Sequence, residues 1–189
     1  MPIVEIRRAP VVVGCAPDWK HAKFSHGGQS KVLASNMTFQ SEENLVDRFV
    51  SLLETDQTLW GKVACSREFD YLRGRADVVA VAGPDTLIAV EAKLEDWKQA
   101  LHQAYRNTCF AHRSFVLLPK NVALAAGVFR AEFERRGVGL CYIDNASLVI
   151  LHDSPPSIPL EPWLASQAIS QVRRTNADTC PARPTLWNQ

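Results

Sequence analysis

Asp77, Glu91 and Lys93 are the residues of this chain whose types and spacing point to chemistry. Arg75-Ala76-Asp77-Val78-Val79-Ala80-Val81-Ala82 is rich in β-branched and small apolar residues, Gly83-Pro84-Asp85 is turn chemistry, and Thr86-Leu87-Ile88-Ala89-Val90-Glu91-Ala92-Lys93 is a second apolar run. That pattern predicts a β-hairpin. Side chains alternate along a strand, so Leu87, Ala89, Glu91 and Lys93 share one face, and Ile88, Val90 and Ala92 the other. Antiparallel pairing brings the start of the first strand to the end of the second, which places Asp77 beside Glu91. Two carboxylates in one spot repel unless a cation joins them. A hard ion such as Mg²⁺ is typically held by one or two carboxylates together with waters and phosphate oxygens. The expected chemistry is therefore metal-assisted hydrolysis of a phosphodiester. Lys93 would orient or help deprotonate the attacking water, or neutralise charge developing on the phosphate.

The acid-x-Lys triplet alone is a weak signal, because one or two copies are expected by chance in a chain of this composition. It occurs three times. Asp18-Trp19-Lys20 lacks an upstream hairpin and Asp96-Trp97-Lys98 falls in a helical pattern, so context selects Glu91 and Lys93. The competing reading is an edge hairpin whose charges guard against aggregation. Against it stands the cost of placing an acid within Val-rich strands.

The elements that must position these groups lie on either side. Residues 41 to 54 carry apolar side chains at 45, 46, 49, 50, 52 and 53, which is helical spacing, with Ser41 available as the cap. At about 100° per residue Glu42 falls near the centre of that apolar stripe. It either points at the site or simply occupies a first turn that the helix dipole favours. Residues 94 to 107 form a second amphipathic pattern, with 97, 100, 101, 104, 105 and 108 on one stripe and Gln99, Gln103 and Arg106 beside it.

An Asp on one strand followed by Glu-x-Lys on the next resembles the PD-(D/E)XK nuclease superfamily, well over residues 41 to 120 and extending to 152. Here the first motif reads Ala76-Asp77, which keeps the acid. The resemblance implies an α/β fold, a restriction-endonuclease-like mixed central sheet flanked by helices. It also implies a Mg²⁺-dependent nuclease, with Mn²⁺ as a substitute, acting on DNA; RNA stays open. Asp77, Glu91 and the backbone carbonyl of Ala92 would hold the metal, with Glu42 as a further ligand. Lys93 would assist the nucleophile. Gln103 matches the glutamine that some branches place on the following helix, although the fuller Gln-x-x-x-Tyr pattern is absent because Asn107 stands four residues on. An ordinary surface glutamine is the alternative. Since fold does not fix function, a non-catalytic nucleic-acid or protein-binding module on the same scaffold is the second reading.

Ser114 to Pro119 reads as a short strand, Asn121 to Arg136 as one helix ended by Gly137, and Val138 to Ile143 and Ser147 to His152 as two strands turning at Asp144-Asn145. Val63 to Phe69 adds a strand ahead of the hairpin, with Leu72-Arg73-Gly74 as its turn. The expected organisation is an N-terminal extension of unassigned role over residues 1 to 40, a domain over 41 to 152, and a Pro-rich linker with a helix and tail over 153 to 189.

The chain has 189 residues, 47% of them apolar, enough for one packed core. Its five cysteines form no Cys-x-x-Cys pair, which suggests neither a disulfide framework nor a zinc knuckle. With no apolar stretch long enough for a signal peptide or a membrane span, a cytoplasmic protein is expected. The net charge of +1 offers no global field for nucleic acid, so phosphate contacts must be local. Arg73, Arg75 and Arg106 are the candidates, Arg75 because it lies two residues from Asp77. Cutting two strands generally calls for two active sites, so a homodimer enters as an expectation. The histidines show no metal-ligand spacing, and no Gly-rich phosphate loop or Gly-x-Ser-x-Gly elbow is present.

Overall fold

The computed structural model describes residues 38–55, 58–61, 63–72 and 74–177. Nearly all of the expected N-terminal extension, Arg73 and the end of the tail lie outside them. The described residues belong to a single compact unit. Their order is α1 (Glu42–Glu54), β1 (Ala64–Tyr71), β2 (Gly74–Ala82), β3 (Thr86–Ala92), α2 (Trp97–Asn107), β4 (Arg113–Leu118), α3 (Lys120–Gly127), α4 (Arg130–Arg136), β5 (Val138–Asp144), β6 (Ser147–His152) and α5 (Pro162–Ala177).

The six strands form one mixed sheet in sequence order, β1 to β6. β1, β2 and β3 make an antiparallel meander, β3, β4 and β5 run parallel, and β6 returns antiparallel. Parallel neighbours need crossovers, and successive right-handed crossovers in one direction put α2 and the α3–α4 pair on the same face. Ala100, Leu101, Ala104, Ala123, Ala126 and Phe133 accordingly pack with Val116, Leu118, Leu140 and Tyr142. The opposite face belongs to α1, whose Leu45, Phe49, Leu52 and Leu53 pack on Val78, Ala80, Ile88, Val90, Ala92, Phe115 and Leu117. The sheet is an α/β layer flanked by helices, and its central strands are apolar on both sides for that reason.

Two expectations require correction. Residues 121 to 136 are not one helix. The turn Val128–Phe129 separates α3 from α4, with Phe129 N–H donating to Ala126 O and the Phe129 ring stacked on Trp97 at 5.0 Å. Gly127 and Val128 are both poor helix formers, so the helix is weakest at this point. The boundary at 152 also fails, because the Pro-rich segment is stitched to the domain. Ser154 is buried; its Oγ accepts from Ser114 N–H at 3.1 Å and donates to Gly137 O at 3.0 Å. Ser157 N–H donates to His112 O and Glu161 N–H to Cys109 O. Leu164, Ala165, Ala168 and Val172 of α5 then cover Phe69, Ala76, Val79, Leu87 and Ala89. Without α5 that half of the sheet face would be bare, so the helix is part of the core.

Candidate active site

The hairpin forms as the turn chemistry dictates, with Val78 opposite Val90 and Ala82 opposite Thr86. Continuing that register sets Asp77 across from Glu91. On the other side of β2, the ladder to β1 skips one pair between Arg67↔Val78 and Phe69↔Ala76. The skipped residue, Glu68, has φ 51, a left-handed value uncommon for a non-glycine. Strict alternation is broken there: Ala76 joins Val79 in the cluster beneath α5. The kink falls at Asp77, whose Oδ2 accepts the Ala92 N–H at 2.8 Å across the end of β3. The amide of Ala92 therefore orients the first acid.

Among the described residues Glu91 is the most deeply placed charge-bearing one, 1% exposed, on the face that carries α2. Its Oε1 accepts from Asn107 Nδ2 at 2.6 Å, and Asn107 Oδ1 accepts from the Tyr71 hydroxyl at 2.7 Å. Burial, followed by the neighbouring Asp77 charge, pushes the Glu91 pKa up to about 8. Asp77 is also raised, first by burial and then by Glu42, against the lowering effects of the Ala92 N–H bond, Lys93 and Arg75. Both acids thus resist ionisation when no cation is present.

Lys93 follows the last residue of β3, its N–H bonded to Leu117 O. Its ammonium donates to Glu42 Oε2 at 2.6 Å. Glu42 stands in the first turn of α1, next to the Ser41 cap, and α1 lies on the opposite face of the sheet from α2. Glu42 from the α1 layer and Glu91 from the sheet face beneath α2 therefore come to one rim, where β3 ends and β2 begins. Clefts outside the carboxyl ends of strands are the usual sites of α/β sheets. The structure brings Asp77, Glu91, Lys93 and Glu42 together, with Glu42 serving as the counter-ion of Lys93.

The remaining expected residues are distributed around this rim. Gln103 is half-buried, and its Oε1 is enclosed without a hydrogen-bond partner. Arg106 lies close enough to lower the pKa of both Glu91 and Tyr71, and its guanidinium approaches Gly74, where an added Cβ would stand 3.4 Å from Nη2. Arg75 is exposed and pairs with Glu68 at 3.5 Å. Asp96, the acid of the helical decoy triplet, caps α2 by accepting the Gln99 N–H.

Asn107 and Tyr71 are the residues that sequence reasoning missed. The expected α2 stripe took in Tyr105, which is half exposed, and omitted Asn107, which is fully buried. The signal was present: Asn107 sits seven residues after Ala100 and three after Ala104, on the buried stripe. A polar side chain there requires a partner. Nothing local marked Tyr71, whose contact with α2 is tertiary.

Among the described residues, no group of three or more His, Cys, Asp or Glu side chains makes a cation cage. The donor chemistry at the rim is one buried carboxylate, Glu91, and one half-buried carboxylate, Asp77, each with one oxygen already hydrogen-bonded. Such a set suits a hard cation that keeps several waters and takes further oxygens from a phosphate, as Mg²⁺ does, better than a closed zinc-type site.

No protein-family model matches the chain, and no curated protein matches it. Among solved structures, it is similar to the SPO1766 protein of unknown function from Silicibacter pomeroyi, with 18% identity and a TM-score of 0.53. The likeness covers 80% of this chain and 100% of that one, and bears on the fold alone. No helix among the described residues is long and apolar enough to cross a membrane.

Proposed function

We propose that this protein is a metal-dependent nuclease of the PD-(D/E)XK type that hydrolyses phosphodiester bonds, with DNA as the favoured substrate. The observation that carries the reading is the meeting of Asp77, Glu91 and the Lys93–Glu42 pair at one strand-end rim, with Glu91 buried and its pKa pushed up to about 8. An acid so placed destabilises the metal-free protein once ionised, which is a reason to expect a cation there.

In this reading Asp77, Glu91 and the Ala92 carbonyl hold Mg²⁺, or Mn²⁺ in its place. When bound, the ion supplies Lewis-acid stabilisation of phosphate charge and lowers the pKa of water. The chain's own groups do the rest. Asp77 is held by the Ala92 amide, so its orientation needs no reorganisation at the moment of reaction. Lys93 directs its ammonium at the rim, where it holds an incoming phosphate oxygen or the attacking water. Glu42 fixes the direction of that ammonium. Water's oxygen bonds to phosphorus as the bond from phosphorus to the leaving oxygen breaks, and water's proton passes to solvent or that leaving group. Gln103, with an unused buried acceptor, positions the nucleophile or Lys93. Arg106 and Arg75 contact flanking phosphates without reading sequence.

The test is cleavage of plasmid, nicked, branched and single-stranded DNA with and without Mg²⁺. Asp77→Ala should lower the rate by at least about 100-fold, the scale of losing one main electrostatic contact to the transition state. Equal activity in both proteins would remove the assignment. Salt-sensitive DNA binding with no cleavage by the wild type would favour a binding module instead.

A further inference from the structure

The clamp on Glu91 carries an inference that rests on the cation site just proposed. Asn107 is fully buried and uses both ends of its amide: Nδ2 on Glu91 Oε1 and Oδ1 under the Tyr71 hydroxyl. A phenol proton given to Oδ1 fixes which way the amide faces, so Nδ2 must point at Glu91. Burial raises the Tyr71 pKa to about 12, which keeps that proton in place. The Tyr71 ring in turn packs in a cluster with Phe69 at 6.3 Å and Phe110 at 5.0 Å. β1, α2 and β3 therefore lock a single carboxyl rotamer.

A carboxylate held in this way presents Oε2 to a cation while Oε1 is tied to the amide. One oxygen suffices for a small octahedral ion with retained waters. Ca²⁺ takes six to eight oxygens and often engages carboxylates through both. We propose that Asn107, locked by Tyr71, is a positioning residue that restricts Glu91 to one-oxygen ligation and so sets the site's preference for Mg²⁺ over Ca²⁺. Releasing the clamp lets Glu91 turn and offer both oxygens.

The test uses the full chain and Mn²⁺ as probe, with free Mn²⁺ counted by electron paramagnetic resonance and displaced by Mg²⁺ or by Ca²⁺. Asn107→Leu keeps the side chain's size and removes the donor. It should shift the ratio of Mg²⁺ to Ca²⁺ affinity toward Ca²⁺ by about tenfold, the lower end of what outer partners of metal ligands control. Tyr71→Phe removes one hydroxyl and should shift the ratio the same way by a smaller factor. A general loss of stability would weaken both ions alike and leave the ratio unmoved. An unchanged ratio in Asn107→Leu, while Mn²⁺ still binds, overturns the proposal. If that variant fails to fold, an unchanged ratio in Tyr71→Phe does so. Failure of the underlying site looks different: the wild type would then bind no Mn²⁺, or Glu91→Gln would bind it as well as the wild type, and the selectivity proposal would fall with it.

Discussion

Replacing Glu91 with Gln should stabilise the metal-free protein at neutral and alkaline pH, the opposite of the usual result for a buried, hydrogen-bonded residue. Gln has the same shape and retains an Oε1 to accept from Asn107 Nδ2. What it removes is a charge that burial and Asp77 both oppose. The wild-type carboxyl has the ordinary glutamate value of 4.5 when unfolded and is pushed up to about 8 when folded. Below 4.5 it is protonated in both states and costs nothing. Between 4.5 and 8 the unfolded chain releases the proton while the folded one keeps it, so folding stability falls as pH rises. Above 8 both states are ionised and the full penalty is in place. At 1.36 kcal/mol per pH unit the separation corresponds to roughly 4–5 kcal/mol, with no discount for solvent because Glu91 is 1% exposed.

The assay is urea unfolding in EDTA at half-unit steps from pH 5 to 9. The difference between Glu91→Gln and wild type should grow through that window and level off above about pH 8. Asp77, also raised, contributes in the same direction in the wild type. His112 is lowered by burial, so its share of stability is present above 6.5 and lost as pH falls through its folded pKa. That share is common to both proteins and cancels in the difference. A gap that is flat with pH, or a Gln variant less stable at pH 8, would refute the reasoning. Saturating Mg²⁺ should close much of the gap in the wild type alone, by about 2.7 kcal/mol at 100 times Kd.

Further expectations follow from the same contacts. Lys93→Ala should abolish most hydrolysis, by about 100-fold or more, while Mn²⁺ binding measured by calorimetry is largely retained; loss of metal binding would make Lys93 a support of the acids rather than a participant. Ser154→Ala strips a partner from the buried Ser114 N–H and from Gly137 O, and should cost about 1–3 kcal/mol in urea unfolding; a neutral change would mean that the 153–161 segment is a spacer after all. Gly139→Ala places a Cβ 2.3 Å from the Phe115 ring and should cost at least about 1–3 kcal/mol by overpacking, read as a fall in thermal midpoint. Cys65 and Cys141 are buried, and burial raises both thiols, Cys65 to about 11. Neither should react with a maleimide at pH 7.5 in the native protein, as peptide mass spectrometry would record, and both should react once it is unfolded.

The hairpin, its turn and the register that sets Asp77 across from Glu91 follow from sequence alone, because an antiparallel turn fixes which positions face each other; the break in alternation between Ala76 and Val78 has no such local signal. The helices on either side were equally legible, as was Glu42, an acid on an apolar stripe. Those are local signals with fixed periods. Tertiary structure decided the partners. α1 and α2 lie on opposite faces of the sheet, so nothing in either helix's own pattern announces that Glu42 meets Lys93 at the rim while Asn107 meets Glu91 from the other side. The same holds for Tyr71, which reaches Asn107 across 36 positions of chain, and for α5, whose modest amphipathicity gave no hint that it closes half a sheet face. Sequence periodicity tells which side of an element is buried. What it is buried against depends on sheet order and crossover handedness, and these set whether a buried acid meets a lysine, an amide or a cation.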